Sequence, residues 1–500
     1  MAYIVPGGTI RICKNVPLNN TYRDTILFDS TTEQFSYFVG KAKYSLDDYT
    51  YMRVNHAIRV EIKADDLYDC NYLVFRNNTF GTKYFYAFIT KVTYINNETS
   101  EIEYELDVLQ TWHFDYQLKQ CFVEREHSAT DEIGDNTVQE NLETGEMLYG
   151  TSQLRVPEVT EEYRVVIASA VNESGQQYVP TLRRNIVSCL GFEIFNSSDT
   201  QGIYNFIHAL DQKGKSGAIV SIFMCPASYL NDTKVDHILQ RQNFYKNIDG
   251  YSPKNKKLFC YPYNYLMGEN GNGSHADYHL ELFTSDSIYF VSDLNYYSCD
   301  PALVLWPRNY RNNIDDFPEK LTVNGFPQVA YNCDSFVVQL AQNAASLPLF
   351  NFSSVLQGAA NSPNPLFGGI AKTLSNIEST EKTLIGWSKQ PPITAGVAGG
   401  STNFVLGENQ ISIYNVHIKA EYAKIIDEYF SMYGYACHRV KIPNRSSRPR
   451  WNYVKTVNCN AVGSVPVQDM RKICEIYDNG VTWWKQGENI GNYDLDNSPS

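Results

Sequence analysis

The sequence lacks the local patterns on which several classes of function depend. None of its eleven cysteines forms a Cys-x-x-Cys pair, so a zinc or redox site has no local signature, and we expect buried free thiols in a reducing cytosol. It has no run of about 18 apolar residues and no signal-peptide pattern, so we expect neither a transmembrane helix nor a signal peptide. It has no Gly-x-Ser-x-Gly elbow and no cysteine within a recognisable hydrolase signature, and we expect no metal site and no cofactor.

The charge balance of the chain is negative. It carries 42 Lys and Arg against 55 Asp and Glu, for a formal net charge of −13. A field of this sign disfavours tight, general binding of nucleic acid but allows DNA to slide past. The hydrophobic content of 43% indicates a folded chain, and the 37 tyrosines favour β-structure and extensive subunit contacts.

Strand patterns dominate the N-terminal part of the sequence. His56 takes one slot of an alternating strand face whose apolar members are Val54, Ile58, Val60 and Ile62. The aromatic run Lys83–Tyr94 and the alternating stretch Ile102–Val108 predict a hairpin, with a polar turn of several residues over Asn96–Ser100. The predicted fold class is therefore mainly β with some α.

Two amphipathic helices are predicted near the C-terminus. Gly434 is the stop signal after a helix whose apolar face consists of Ile418, Tyr422, Ile425, Ile426, Tyr429, Phe430 and Tyr433. A second helix begins at Pro466, ends by Asn479-Gly480, and is expected to bury Val467, Met470, Ile473 and Cys474.

Composition and periodicity divide the chain into five predicted parts. They are an N-terminal β-rich domain at 1–150, a small α/β insert at 151–255, a β-rich continuation at 256–344, a long hydrophobic loop at 345–408, and a C-terminal domain with amphipathic helices at 409–500.

The predicted loop differs from the rest of the chain in its lack of charge. No charged residue occurs between Asp334 and Lys372, and residues 345–407 carry only five charges. A disordered linker, a covered interface loop and a membrane-active segment all fit this composition. Low charge reduces the cost of entering hydrocarbon, but unpaired amides are costly in lipid, so insertion requires oligomerisation or helix formation. The candidate membrane-active residues are Leu347, Leu349, Phe350, Phe352, Val355, Leu356, Leu366, Phe367, Ile370, Leu384, Ile385, Trp387, Ile393, Val397, Phe404, Val405 and Leu406.

Three patterns resemble ligand or catalytic sites without the context that these sites need. Ala209–Ser216 matches a loose phosphate-binding loop, but a helical stretch precedes it and a strand follows, which reverses the required order. His275 and His279 lie about 13 Å apart on a predicted strand, too far for one zinc ion. Carboxylates are abundant, but no motif selects a glycosidase pair among them.

Six basic residues without an intervening acid form a candidate subunit-interface patch beside Trp451 and Tyr453. In a chain of charge −13, this patch favours an acidic partner surface or a neighbouring subunit over DNA. The basic patch consists of Arg439, Lys441, Arg445, Arg448, Arg450 and Lys455.

Ten short motifs stand in an order that resembles one protein family, mainly over 1–130 and 410–500. They are Met1-Ala-Tyr3, Val108–Trp112, Val123–His127, Tyr261–Tyr263, Lys419–Tyr422, Tyr433–Tyr435, Arg439–Asn444, Asn452–Val454, Asp478–Gly480 and Asn489–Tyr493. Each motif is weak alone, but the ordered set resembles the distal tail tube (tail knob) proteins of small protein-primed podophages that infect Gram-positive bacteria.

The resemblance implies a structural virion protein, assembled in the host cytoplasm, whose β-rich domains form a hexameric tail tube. It implies a conduit for genome ejection, not an enzyme, and viral DNA passes through the conduit without specific binding. The implied partners are collar or connector proteins, tail-tip proteins and lipid of the host cytoplasmic membrane. In the family, a long hydrophobic loop plugs the tube and is released to penetrate that membrane, and residues 345–408 occupy its place.

Two other functions remain open from the sequence. A receptor-binding or adhesion protein of the tail would bind whole cells or wall polymer. A wall-degrading tail enzyme would release wall fragments, although no motif identifies its catalytic carboxylate.

Overall fold

Strands make up most of the regular structure, and the predicted fold class, mainly β with some α, is confirmed. No helix of the described residues is long and apolar enough to cross a bilayer. The computed structural model describes residues 7–49, 56–77, 81–158, 161–299, 301–315, 319–324, 326 and 410–499.

The chain forms two compact units. Unit 1 comprises residues 1–145, 250–258 and 420–500, and unit 2 comprises residues 146–249 and 259–419. Unit 1 is therefore built from three separate stretches of the chain.

The described strands and helices are numbered in chain order. The first nine strands are β1 Gly8–Lys14, β2 Asp24–Ile26, β3 Ala42–Tyr49, β4 Ala57–Val60, β5 Cys70–Asn77, β6 Phe85–Asn96, β7 Thr99–Leu106, β8 Tyr116–Leu118 and β9 Cys121–Glu126. The next thirteen are β10 Met147–Val156, β11 Tyr163–Ser169, β12 Thr181–Arg183, β13 Ile186–Ser188, β14 Gly191–Asn196, β15 Ile219–Pro226, β16 Val235–Gln240, β17 Asn264–Glu269, β18 His275–Tyr278, β19 Ser287–Asn295, β20 Ala302–Tyr310, β21 Asn313–Asp315 and β22 Leu321–Val323. The last five are β23 Ile411–Ile418, β24 Tyr435–Lys441, β25 Trp451–Val457, β26 Ala461–Gly463 and β27 Val481–Trp484. The α-helices are α1 Thr31–Val39, α2 Val108–Thr111, α3 Thr200–Gln212, α4 Ala420–Tyr433 and α5 Val467–Asn479.

Two large sheets dominate unit 1. A six-stranded sheet has the order β3-β1-β5-β6-β7-β4, and a five-stranded sheet has the order β2-β27-β25-β9-β24. Strand β9 lies inside the second sheet and pairs antiparallel with β25 and β24, which come from the end of the chain. The N-terminal and C-terminal stretches therefore complete one sheet together.

Large aromatic side chains fill the core of unit 1. Phe38 of α1 stacks on Tyr72 of β5 with ring centroids 4.9 Å apart, and both rings are buried. Tyr477 of α5 and Trp483 of β27 belong to the same cluster. Burial of one such side chain contributes roughly 1.5–3 kcal/mol, so these contacts are a main source of the stability of unit 1.

Gly434 turns the chain from α4 into β24. Its φ is +65°, and a Cβ there would lie 2.3 Å from the carbonyl oxygen of Glu126 on β9. Only glycine permits both this backbone conformation and this close approach. The predicted stop at Gly434 is confirmed.

We expect Gly434→Ala to lower the free energy of unfolding by about 3 kcal/mol, because the methyl group meets backbone atoms and the left-handed conformation is strained. Gly491→Ala is the matched control, since Gly491 has a φ of +85° but no neighbouring atom within 4 Å of its Cβ position. We expect the control to lose only about 1 kcal/mol. Urea unfolding of both variants makes the comparison, and equal losses would contradict it.

Unit 2 contains several smaller sheets. They are a four-stranded sheet β10-β23-β17-β18, a three-stranded sheet β14-β11-β15, a hairpin β12-β13, and a five-stranded sheet in which β16-β19-β20-β21 is extended by β22 on β20. Helix α3 packs on the three-stranded sheet through Ile203, Phe206 and Leu210. The sequence Ala209–Ser216 spans the end of α3 and the connection to β15, so the predicted helix-to-strand loop is confirmed.

The hairpin β6-β7 is confirmed, but its turn is shorter than predicted. Asn96 pairs with Thr99, so only two residues form the turn. Three described positions predicted in strands also lie outside them, and Val54 of the same predicted face lies outside the described residues. Ile62 follows the end of β4 at Val60. His56 is exposed with a φ of +46°, and Val108 begins α2 because the side chain of Asp107 caps that helix.

The two C-terminal helices are confirmed, with corrections to their buried faces. Ile418 belongs to β23, and Ile425 is exposed because the buried stripe of α4 runs through Ile426 and Phe430. Val467 is also exposed, since it lies in the first turn of α5 before the helix reaches the core. Met470 and Cys474 are half-buried, whereas Ile473 is buried as predicted.

Candidate functional site

The candidate membrane-active residues, from Leu347 to Leu406, lie outside the described residues. The structure does describe the chain on both sides of them. On the N-terminal side, β22 pairs with β20, and on the C-terminal side β23 pairs with β10 and β17. All of these strands belong to unit 2.

Both flanks of the segment leave from one hydrophobic core. Leu321, Val323 and Phe326 on one side, and Ile411 and Ile413 on the other, are all buried in the same cluster of unit 2. The nearest described strands on both sides are thus anchored in the same core. A long insertion between fixed ends adds little to the entropic cost of loop closure.

Gly268 on β17 marks the point where the two flanks meet. A Cβ at this position would lie 2.5 Å from Cδ1 of Leu321 and 2.9 Å from Cδ1 of Ile413. The absence of a side chain at Gly268 lets both apolar side chains approach the same strand.

The basic patch does not form a single exposed surface. Lys441 is in contact with Glu126, and Nζ of Lys455 lies 2.8 Å from Oε1 of Glu124. Arg439 is exposed on β24. Two of these three cations therefore have acidic partners on β9 of the same chain.

The three other arginines of the patch hold other parts of unit 1. Arg445 lies over the Trp483 ring at 5.1 Å, and Arg448 is buried and donates to the Ser128 carbonyl at 2.6 Å. Arg450 donates through Nε to the Asp496 carbonyl at 3.1 Å. These contacts account structurally for residues that the sequence suggested for a partner surface.

A buried carboxylate in α4 was missed by the sequence analysis. Asp427 accepts hydrogen bonds from the Tyr251 hydroxyl at 2.7 Å, from the Lys254 amide at 2.7 Å, and from both the amide and the side chain of Asn255, at 2.9 and 2.8 Å. It binds residues 250–258, the short stretch of unit 1 that lies far from the rest in sequence. Its position four residues after Ala423 and three before Phe430, inside the apolar stripe, is the available sequence signal.

His127 lies in the same unit and is buried. Its Nδ1 accepts a hydrogen bond from the Tyr453 amide at 2.8 Å, so its Nε2–H donates to the Ser431 carbonyl at 3.1 Å. Burial, with a further contribution from the positive charge of Arg448, lowers the pKa of His127 to about 3. The imidazole is therefore neutral at physiological pH.

One pair of side chains resembles part of a hydrolase site. Nε2 of His237 lies 2.7 Å from Oγ of Ser292, and the Tyr229 hydroxyl lies 2.6 Å from the same atom. Ser292 is completely buried in β19, so its hydroxyl cannot contact a polymer substrate. The contact of His237 with Ser292 joins β16 to β19.

The two histidines considered for a metal site lie in different environments. His275 is exposed at the start of β18. His279 follows that strand and stacks on Tyr261 with ring centroids 3.9 Å apart. The structure does not bring these imidazoles together on a helix face.

Comparison with known proteins finds two family profiles in the chain. Residues 227–498 match the family described as the C-terminal domain of the tail knob protein gp9 of Bacillus phage phi29. Residues 6–117 match the family described as the N-terminus of the caudoviral major tail protein.

Individual relatives align over nearly the whole chain. The tail knob proteins gp9 of Bacillus phages B103, phi29 and PZA are 23%, 26% and 25% identical, over 99% of this chain and 100% of each relative. The structure of the tail knob protein gp12 of bacteriophage C1 is similar in fold, with a TM-score of 0.66 at 15% identity, over 97% of this chain and 98% of that one.

Proposed function

Since the chain belongs to the family of phage tail knob proteins represented by gp9 of Bacillus phage phi29, and is a structural component of the virion tail, we propose that it forms a hexameric distal tube for genome ejection. In this proposal, residues 345–408 plug the tube and are released to penetrate the host cytoplasmic membrane. Collar or connector proteins and tail-tip proteins of the same tail are its protein partners.

One observation carries the proposal: the described strands before and after the segment are buried in the same hydrophobic core of unit 2. Leu321 and Ile413 hold the chain on either side, so the apolar segment can change its surroundings without unfolding the strands that bear it. Residues 345–407 carry only five charged side chains. Placing one charged side chain at the bilayer centre costs about 3 kcal/mol of insertion free energy.

The charges of the chain favour passage of DNA without specific binding. The net charge is −13, and Lys441 and Lys455 of the basic patch are paired with acids of β9. Paired cations contribute little to phosphate binding, because the affinity of a protein for DNA rises with the number of phosphates that it neutralises. An acidic lumen would repel the phosphates and allow the genome to slide.

The proposal is tested by leakage of dye from anionic liposomes at neutral and mildly acidic pH. We expect the full-length protein to cause leakage and a variant that lacks residues 345–408 to cause none, because the apolar side chains are removed while both flanking strands remain. Circular dichroism of the deletion variant checks that the strands are retained.

Point variants test whether leakage depends on the apolar side chains of residues 345–408, or only on the presence of these residues. Phe350→Asp combined with Trp387→Asp should reduce leakage, since each new charge adds about 3 kcal/mol to the cost of insertion. Val467→Asp, an exposed position outside the segment, should leak like the unaltered protein. Leakage by the deletion variant, or none by the full-length chain, would contradict the membrane role.

A further inference from the structure

Three cysteines that lie far apart in the sequence meet in unit 1. Cys121 begins β9, Cys459 lies in the connection between β25 and β26, and Cys474 belongs to α5. The Cys459 thiol is within hydrogen-bonding reach of the thiols of both Cys121 and Cys474. We call these three residues the thiol cluster. Neither the proposed tube nor the membrane role uses it.

Asp478 holds together the two chain segments that carry Cys459 and Cys474. Its Oδ1 accepts hydrogen bonds from the Cys459 amide at 3.0 Å and from the Thr456 hydroxyl at 2.7 Å. Cys474 lies four residues before Asp478 on α5, so the two side chains lie on the same face of the helix. The amide of Ala461 also donates to the Cys474 thiol. Backbone contacts on both sides therefore keep the two thiols close together.

Exposure distinguishes one pair within the thiol cluster. Cys121 is only 6% exposed, whereas Cys459 and Cys474 are half-buried. A small oxidant from solvent reaches a half-buried sulfur more readily than one enclosed between strands. Cys13 and Cys70 also influence each other, yet both are buried. Cys459 and Cys474 combine a neighbouring thiol with access from solvent.

Burial keeps these two thiols protonated during assembly. It raises the pKa of Cys474, and more strongly that of Cys459, above the ordinary value of a thiol. Because the thiolate is the species that attacks a disulfide, oxidation at neutral pH is slow. The cytosol also keeps thiols reduced, whereas a component of the virion tail leaves the cytosol with the particle. The pair therefore meets oxidising conditions only after assembly.

We propose that Cys459 and Cys474 form a disulfide bond after the virion leaves the host cytosol. The bond joins α5 to the connection that follows β25, and it closes the loop formed by residues 459–474. Such a cross-link restricts the unfolded chain and so stabilises the folded protein. The inference goes beyond the proposed tube and membrane role and rests on neither of them.

The oxidant is a small-molecule disulfide such as oxidised glutathione. The Cys474 thiolate attacks one sulfur of this disulfide, which forms a mixed disulfide and releases one glutathione thiolate. The Cys459 thiol then loses its proton, and its thiolate displaces the second glutathione from Cys474. One S–S bond of the oxidant and two S–H bonds of the protein are broken, one S–S bond forms in the protein, and two protons and two electrons pass to glutathione.

The test is mass spectrometry of the full-length protein after incubation with oxidised glutathione. Trypsin, which cuts after Lys and Arg, separates the thiols of the cluster into peptides 120–125, 456–471 and 473–485. After alkylation of free thiols, we expect a disulfide link between the last two peptides, and no link in protein kept in a reducing buffer. Exposed Cys189 should carry bound glutathione in the same sample, which shows that the oxidant was active.

Single variants assign the bond to one pair. Cys121→Ala should retain the linked peptides, because Cys121 is not part of the assigned bond, whereas Cys459→Ser and Cys474→Ser should lose them. A bond between Cys121 and Cys459 in the unaltered protein would overturn the assigned pairing. Free thiols at Cys459 and Cys474 beside a glutathione-bound Cys189 would overturn the proposal altogether.

Urea unfolding measures the effect of the bond on stability. We expect the oxidised protein to unfold at a urea midpoint about 1 M above that of the reduced protein, because the cross-link constrains the unfolded chain. Cys474→Ser should abolish this difference between oxidised and reduced samples, and Cys189→Ser should retain it. Equal midpoints for the bridged and the reduced protein would overturn the stabilising role of the bond.

Discussion

Asp427→Ala is expected to lower the free energy of unfolding of unit 1 by about 4 kcal/mol. The substitution leaves donors of residues 250–258 without their acceptor, and a buried donor without a partner costs about 1–3 kcal/mol. The amide and side chain of Asn255 are the most affected, because Asn255 is itself buried. Urea unfolding measures the loss, and hydrogen exchange of the Lys254 and Asn255 amides shows whether the stretch detaches first.

Glu428→Ala is the matched control for this prediction. Glu428 is the next residue of α4 and is exposed, so its removal should change stability by less than about 0.5 kcal/mol. A loss at Asp427 no larger than the loss at Glu428 would show that residues 250–258 do not depend on the carboxylate.

Lowering the pH from 7 to 5 is expected to reduce the free energy of unfolding of unit 1 by about 2 kcal/mol through His127. The unfolded chain takes up a proton near pH 6.5, whereas burial and Arg448, with a smaller effect of Arg125, lower the pKa of folded His127 to about 3. The stability is therefore present above the unfolded pKa and is lost as the pH falls from 6.5 towards 3. His113, whose pKa burial and Arg445 also lower to about 3, acts in the same direction.

A buried acid in the same unit acts in the opposite direction, so a variant is needed to isolate His127. Burial raises the pKa of Asp107 to about 6, and the folded state therefore gains stability as Asp107 is protonated. We expect His127→Gln to reduce the difference in unfolding free energy between pH 7 and pH 5 by about 2 kcal/mol relative to the unaltered protein. An unchanged difference would contradict a neutral, buried His127.

Local sequence patterns predict the elements that depend on near neighbours. The hairpin β6-β7 follows from alternation, and α4 follows from a period of 3.6 residues that ends at Gly434. The exposure of Ile425 and Val467 was not predicted, because periodicity gives the direction of a helix face but not the extent of the surface that covers it.

Local sequence patterns do not predict contacts between residues that lie far apart in the chain. Nothing in the sequence around residues 121–126 shows that β9 lies between β24 and β25. From the sequence alone, Asp427 is an ordinary acidic residue of a helix. Its structural role depends on residues 250–258, which supply its hydrogen-bond donors. The basic patch was predicted from adjacency in sequence, but Lys441 and Arg448 have partners that adjacency does not reveal.

The central position of β9 has a consequence for synthesis on the ribosome. Residues 121–126 emerge early, whereas both of their strand partners lie after residue 434, so unit 1 cannot close its second sheet until the chain is nearly finished. Until then β9 presents two open edges, which are prone to pair with strands of other nascent chains. A product truncated before residue 435 would lack both partner strands of β9. Completion of the second sheet therefore acts as a late checkpoint in folding.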